Sequence, residues 1–140
     1  MNVAITGASG HIGNCLVRKL LEQNIAVKVL VHNYKQSLKD LDVEIVKGDL
    51  LQKSSLEALC RNVDVVFHLA AKICIDGKNK DSVYTINVEG TQNLIDVCIK
   101  NKVKRFIHFS SIHTYDPYPL DKTLDESRAY IGNTKLVYEQ

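Results

Sequence analysis

A short apolar run that breaks into three evenly spaced glycines constrains this chain more than any other feature. Asn2-Val3-Ala4-Ile5-Thr6 is closed by Gly7, and Gly10 and Gly13 follow. From Ile12 to Leu21, apolar residues then fall at 12, 15, 16 and 20, the spacing of a helix. A plain tight turn needs one glycine, not three at this interval. The three have separate uses in a strand–loop–helix unit that holds a pyrophosphate. Gly7 permits the turn, Gly10 lets backbone approach the phosphates without a Cβ in the way, and Gly13 lets the helix pack closely on the strand. The helix N-terminus then offers N–H groups and positive dipole to the phosphates.

The rest of the chain alternates in the same rhythm. Ala26 to Val31 is β-branched and apolar, a strand, and Val43 to Val46 is another, ended by Gly48-Asp49. The connection from Tyr34 to Asp40 reads as irregular or as a short helix. Ser54 and Glu57 form a capping box that starts a short helix. Val63 to Ala71 is nearly all apolar, the mark of a strand buried on both faces. Val83, Ile86, Gly90, Leu94, Val97 and Cys98 make one helical stripe, and Lys104 to Phe109 is a fifth strand. A looser segment, Tyr115 to Ser127, holds both prolines, Pro117 and Pro119. Asn133 to Gln140 reads as the start of a further helix. Strands alternating with helices predict an α/β fold, a parallel sheet with helices on both faces.

Composition narrows the function. At 140 residues there is room for one domain. Eighteen basic against sixteen acidic residues give a net charge of +2, too even for a polyanion binder, so no nucleic-acid partner is expected. Lys100, Lys102, Lys104 and Arg105 cluster where they complement a helix C-terminus. No apolar run approaches the ~20 residues that span a bilayer, and the N-terminus lacks a signal peptide's basic and apolar regions. A cytoplasmic protein with no membrane partner is the expectation. Cys15, Cys60, Cys74 and Cys98 are far apart, with no Cys-x-x-Cys, and read as reduced and mostly buried thiols. The five histidines show no metal-ligand spacing, so no metal is expected.

The ordered motifs resemble a family. TGASGHIG at 6–13, GDL at 48–50, HLAA at 68–71, NVEGTQNL at 87–94 and RFIHFSS at 105–111 are similar to those of the extended short-chain dehydrogenase/reductases. These include the NAD-dependent epimerase/dehydratases and dihydroflavonol-reductase-like enzymes. The resemblance covers essentially the whole chain and is to the family's N-terminal part. It implies a Rossmann-like, doubly wound three-layer α/β/α fold with strand order 3-2-1-4-5. It assigns Gly7, Ser9, Gly10, His11, Ile12 and Gly13 to the cofactor. It puts Asp49 and Leu50 beside the adenine and Leu69, Ala70, Ala71 and Lys72 along the cofactor channel. Asn87 interrupts an apolar stripe, and in the family it supports the active site.

NAD sites usually carry an acid about 20 residues past the glycine loop, at the end of the second strand, to hold the ribose hydroxyls. Here the strand ends Val31-His32-Asn33-Tyr34-Lys35, with no acid. A carboxylate would repel the extra phosphate of NADP, and Lys35 or Lys39 would neutralise it. The same lysines also read as ordinary loop residues. Both NAD and NADP remain open, with the balance towards NADP.

The family reduces carbonyls with a Tyr as proton donor, a Lys that lowers its pKa and holds the ribose, and a Ser that hydrogen-bonds the substrate oxygen, which is general acid–base catalysis with a tuned pKa. Ser111 matches the Ser, and Lys135 in Asn133-Thr134-Lys135 matches the Lys. The Tyr departs from the pattern. The family has it four residues before the Lys, where Ile131 stands; Tyr130 is five before. On a regular helix Tyr130 would point roughly 140° from Lys135 at ~3.6 residues per turn, unless Gly132 distorts the start. Tyr115 and Tyr138 are the substitutes. His113, near Ser111, reads as a surface-loop residue within reach of substrate.

Two readings follow. One is an NAD(P)-dependent oxidoreductase or epimerase acting on a carbonyl or sugar-nucleotide substrate by hydride transfer, through Ser111, Tyr130 and Lys135, with a homodimer as the assembly to test. The other is a non-catalytic nucleotide-binding module or a truncated fragment of such an enzyme. The chain stops inside a predicted helix just past Lys135, so residues 1–140 are expected to be the cofactor domain without the family's C-terminal substrate part.

Overall fold

The period-two alternation of the first strand decides how the layers form. In β1 (Asn2–Thr6), Val3 and Ile5 point into one core and Ala4 into another, all essentially unexposed. A strand buried on both faces needs helices on both sides. The computed structural model describes residues 1–33, 36–73 and 80–131. It supplies α1 (His11–Glu22) for one face, and α2 (Lys53–Cys60) and α4 (Gly90–Lys100) for the other. The strands β1, β2 (Ala26–Val31), β3 (Glu44–Lys47), β4 (Val65–His68) and β5 (Arg105–His108) form one parallel sheet in the order β3-β2-β1-β4-β5. This is the predicted doubly wound Rossmann-like topology.

Val17 and Leu20 of α1 pack with Val3, Ile5, Val27, Val29, Val31 and Leu38. Leu56, Leu59 and Cys60 of α2 pack with Leu94, Val97 and Cys98 of α4 against Ala4, Leu30 and Val66. Within that second core the sulfurs of Cys60 and Cys98 lie 3.8 Å apart. Their hydrogen bond and their burial hold the Cys98 thiol well above its ordinary value. Cys15 is exposed, unlike the mostly buried thiols expected; Cys74 lies outside the described residues.

Helix ends explain several polar residues. Asn24 and Lys102 sit at positive φ, 56° and 57°, just beyond α1 and α4. After α1, Ile25 N–H reaches Leu20 C=O and Asn24 N–H reaches Leu21 C=O; after α4, Val103 reaches Cys98 and Lys102 reaches Ile99. Both are Schellman closures that satisfy the last carbonyls. Lys100 and Lys104 pair with Glu57 and Asp64 at 2.6 and 2.7 Å, so carboxylates as well as the helix end hold this basic cluster.

One start signal is corrected. The residue capping α2 is Gln52, without a side-chain cap bond, and Ser54 lies inside the helix, so the Ser54–Glu57 capping box does not form. Ser55 instead donates from its hydroxyl to the carbonyls of Asp49 and Gln52, tying the helix start to the turn after β3. Among the described residues of the Tyr34–Asp40 connection, Gln36–Leu38 form a 3-10 turn. The stripe helix begins as α3 (Lys80–Tyr84), passes through a π-helical turn at Thr85–Glu89 and continues as α4. The predicted helix from Asn133 lies outside the described residues.

Candidate functional site

In an open parallel sheet, the crevice outside the carboxyl ends of the strands, where the chain order reverses, is where ligands bind. Here that point lies between β1 and β4, whose last residues Thr6 and His68 are in register. A cleft of about 760 Å³ opens there. The glycine loop, residues 69–73, the π-turn region and the end of β5 form its walls. A second cleft, about 710 Å³, opens at the amino ends of the strands beside Asn2, Lys28 and Arg61.

The glycine loop is as tight as its sequence requires. Gly7 has φ +74°, and a Cβ there would come within 2.6 Å of Ala70 N and Leu69 C. A Cβ on Gly13 would overlap Gly7 O and lie 2.8 Å from Gly7 C. Gly10 is exposed, and its Cβ would meet only Gly7 O at 3.2 Å. The start of α1 has no side-chain cap and no acid in its first turn. Its leading N–H groups have no partner within the helix. An uncapped helix start, with a loop pared of side chains and open to the cleft, fits a dinucleotide pyrophosphate.

Of the predicted residues, Gly7, Gly10, His11, Ile12, Gly13, Leu69, Ala70, Ala71, Lys72, Asn87 and Ser111 line this one cleft. Ser9, Asp49 and Leu50 stand outside its lining. Leu50 is buried in the core against Gly90, and Asp49 accepts a 2.7 Å bond from Leu51 N–H. Asn87 is half-buried and doubly used: its Oδ1 accepts from Lys72 N–H at 2.8 Å and its Nδ2 donates to Lys72 C=O at 2.9 Å. Lys72 Nζ donates to Ser82 Oγ at 2.7 Å. Ser111 follows β5 and starts a 3-10 turn, its Oγ accepting from His113 N–H.

Tyr130 is not on a helix. It pairs with Tyr115 in an antiparallel bridge, their rings stacked 5.4 Å apart, and is 77% exposed. It stands outside the cleft lining. Arg128 braces the preceding loop by donating to the carbonyls of Tyr118, Pro119, Lys122 and Thr123. Lys135, Gly132, Tyr138, Tyr34 and Lys35 lie outside the described residues.

Sequence reasoning passed over one buried polar group. His68 is 1% exposed. Its Nδ1 lies 2.6 Å from Thr6 Oγ1 and its Nε2 lies 2.8 Å from Thr91 Oγ1. Burial, then the neighbouring His108, depresses its pKa to about 4. The signal was available: a Thr and a His end adjacent strands.

Fold and cleft together define a Rossmann-like α/β domain with an open cleft at its topological switch point. Residues 3–138 match the NAD dependent epimerase/dehydratase family, and the chain belongs to it. The chain is 32% identical over 113 residues to sterol demethylase protein B of Methylococcus capsulatus, a match covering 79% of this chain and 34% of that protein. It is similar to a solved UDP-glucose 4-epimerase, at 25% identity and TM-score 0.87, covering 99% of this chain and 43% of that one. For the Thermus thermophilus UDP-glucose 4-epimerase in complex with NAD, identity is 26% and TM-score 0.84, covering 99% and 46%. The chain thus spans about a third of the curated relative and less than half of either structure. Among the described residues, no helix is long and apolar enough to cross a membrane, and no three metal-ligating side chains gather.

Proposed function

We propose that residues 1–140 are one dinucleotide-binding domain of an NAD(P)-dependent oxidoreductase or epimerase acting on a carbonyl or sugar-nucleotide substrate. The observation that carries this is the sharing of one cleft by the glycine loop and Ser111. When bound, the nicotinamide supplies the hydride chemistry. In this reading Gly7, Gly10 and Gly13 cradle the pyrophosphate at the start of α1, with Ser9, His11 and Ile12 beside it. Residues 69–72 hold the rest of the dinucleotide, and Asp49 and Leu50 lie towards the adenine end. Ser111 Oγ already accepts from His113 N–H, so its own hydrogen can be directed at a substrate oxygen. Tyr130 and Lys135 are the proposed proton donor and its partner. The absence of an acid in Val31-His32-Asn33 supports NADP, whereas the NAD named for the Thermus epimerase supports NAD.

The test is titration with NADH and NADPH, then incubation with UDP-sugars, aldehydes and ketones while dinucleotide oxidation and sugar interconversion are followed. Turnover that falls about 10²-fold in Ser111→Ala, with dinucleotide affinity unchanged, supports the reading. Unchanged turnover in that variant refutes the role of Ser111. The exposed, stacked Tyr130 favours a second reading, a module that binds the dinucleotide without turnover. Binding with no turnover across the panel would select it.

A further inference from the structure

The hydroxyl of Thr91 determines which nitrogen of His68 carries the proton. Thr91 Oγ1 has one hydrogen and donates it to Asn87 C=O at 2.6 Å, one turn back along the helix. Towards His68 Nε2, at 2.8 Å, it can therefore only accept, so Nε2 is protonated. In a neutral ring, Nδ1 is then an acceptor, and Thr6 Oγ1 donates to it at 2.6 Å. The Thr6 oxygen in turn accepts from Ala70 N–H at 3.3 Å.

The chain of bonds thus runs from Ala70 through Thr6, His68 and Thr91 to Asn87, whose side chain grips both the N–H and the C=O of Lys72. It begins and ends on the same wall of the cleft, and it passes through the last residue before the glycine loop. Backbone contact reinforces it: Leu69 N–H donates to Thr6 C=O at 3.2 Å, and Gly7 is packed too closely on Leu69 and Ala70 to admit a Cβ.

We propose that His68 is a positioning residue: as the neutral Nε2–H tautomer it fastens the glycine loop to the Ala70–Lys72 wall through Thr6, Thr91 and Asn87, and so sets the spacing of the dinucleotide cleft. This rests on the reading above that the cleft takes a dinucleotide. The experiment has two arms. Long-range ¹H–¹⁵N correlation of the imidazole nitrogens in the wild-type chain reads the tautomer; Nε2–H is expected. Titration with NADH and NADPH then compares wild type, Thr91→Ser and Thr91→Val, each checked for cooperative unfolding.

Thr91→Ser keeps the hydroxyl and retains wild-type affinity, whereas Thr91→Val strands the Nε2–H and weakens binding about tenfold. If Thr91→Val does not unfold cooperatively, Thr6→Val against Thr6→Ser makes the same comparison from the other side of the ring. An Nδ1–H or doubly protonated ring at neutral pH overturns the proposal, as does equal affinity in the Val and Ser variants. A folded wild type that binds neither dinucleotide overturns the dinucleotide reading and the positioning role with it. Wild-type binding that is insensitive to the valine variants overturns the positioning role alone.

Discussion

Replacing Gly13 by alanine sets two effects of opposite sign against each other. Gly13 lies in the first turn of α1, where alanine is the better helix former by about 1 kcal/mol. Propensity alone therefore predicts a more stable protein. The packing predicts the reverse, because a Cβ at Gly13 would overlap Gly7 O and lie 2.8 Å from Gly7 C and 2.9 Å from Ala8 Cα. All three are backbone atoms of a loop held between β1 and residues 69–70, so no side chain can rotate away. Overpacking of this kind costs ~1–3 kcal/mol, and rigid neighbours put it at the upper end. The net expectation is a loss of about 2 kcal/mol. With a urea m-value of ~2 kcal/mol/M, the unfolding midpoint falls by about 1 M. Gly10→Ala is the control. Its Cβ meets one atom at 3.2 Å, so the midpoint stays within about 0.3 M, while a methyl group now stands where phosphates would approach. Dinucleotide affinity should drop in both variants, but stability only in Gly13→Ala. A midpoint that rises in Gly13→Ala would refute the helix–loop packing described here.

Two further outcomes are expected. Lys102 holds a positive φ of 57° that glycine adopts without strain, so Lys102→Gly should stabilise the fold by about 0.5–1 kcal/mol in urea unfolding, despite losing a surface charge. His68 has its pKa lowered to about 4 from an ordinary 6.5, so the unfolded chain takes up its proton first as pH falls. Its stability contribution is complete above about pH 6.5 and is lost progressively down to about pH 4, a difference of ~3 kcal/mol. The check is twofold: unfolding midpoints across that window, and a His68 ring resonance that does not titrate between pH 8 and 5.

The strand–helix alternation and both helical faces could be read from residue patterns, because the central strands carry their burial in their own side chains, whereas the order 3-2-1-4-5 came from the family resemblance. Ala26–Val31 is rich in β-branched residues and interrupted only by Lys28, and the Gly90–Leu94–Cys98 stripe keeps helical period. The cleft was legible for a related reason: the glycines are local requirements of backbone geometry. What failed was the α2 cap, where a Ser and a Glu at the right interval lie two residues too far into the helix. A capping box depends on where the preceding turn ends, and here Ser55 and Asp49 decide that. The His68 network was hidden because its members, Thr6, His68 and Thr91, are distant in sequence and meet only once the strands are in register. Tyr130 shows the limit of helix spacing arguments, since the residue sits in a bridge to Tyr115 rather than on a helix.

The proposed function places a dinucleotide in the cleft at the carboxyl ends of β1, β4 and β5. Backbone amide ¹H–¹⁵N spectra recorded during titration with NADH and with NADPH test it most directly. Saturable shifts, with one common affinity, are expected at Gly7, Gly10, Ile12, Ala70 and Lys72. Saturable shifts centred instead on Asn2, Lys28 and Arg61 at the opposite cleft, or no saturable shift with either dinucleotide in the folded chain, would contradict it.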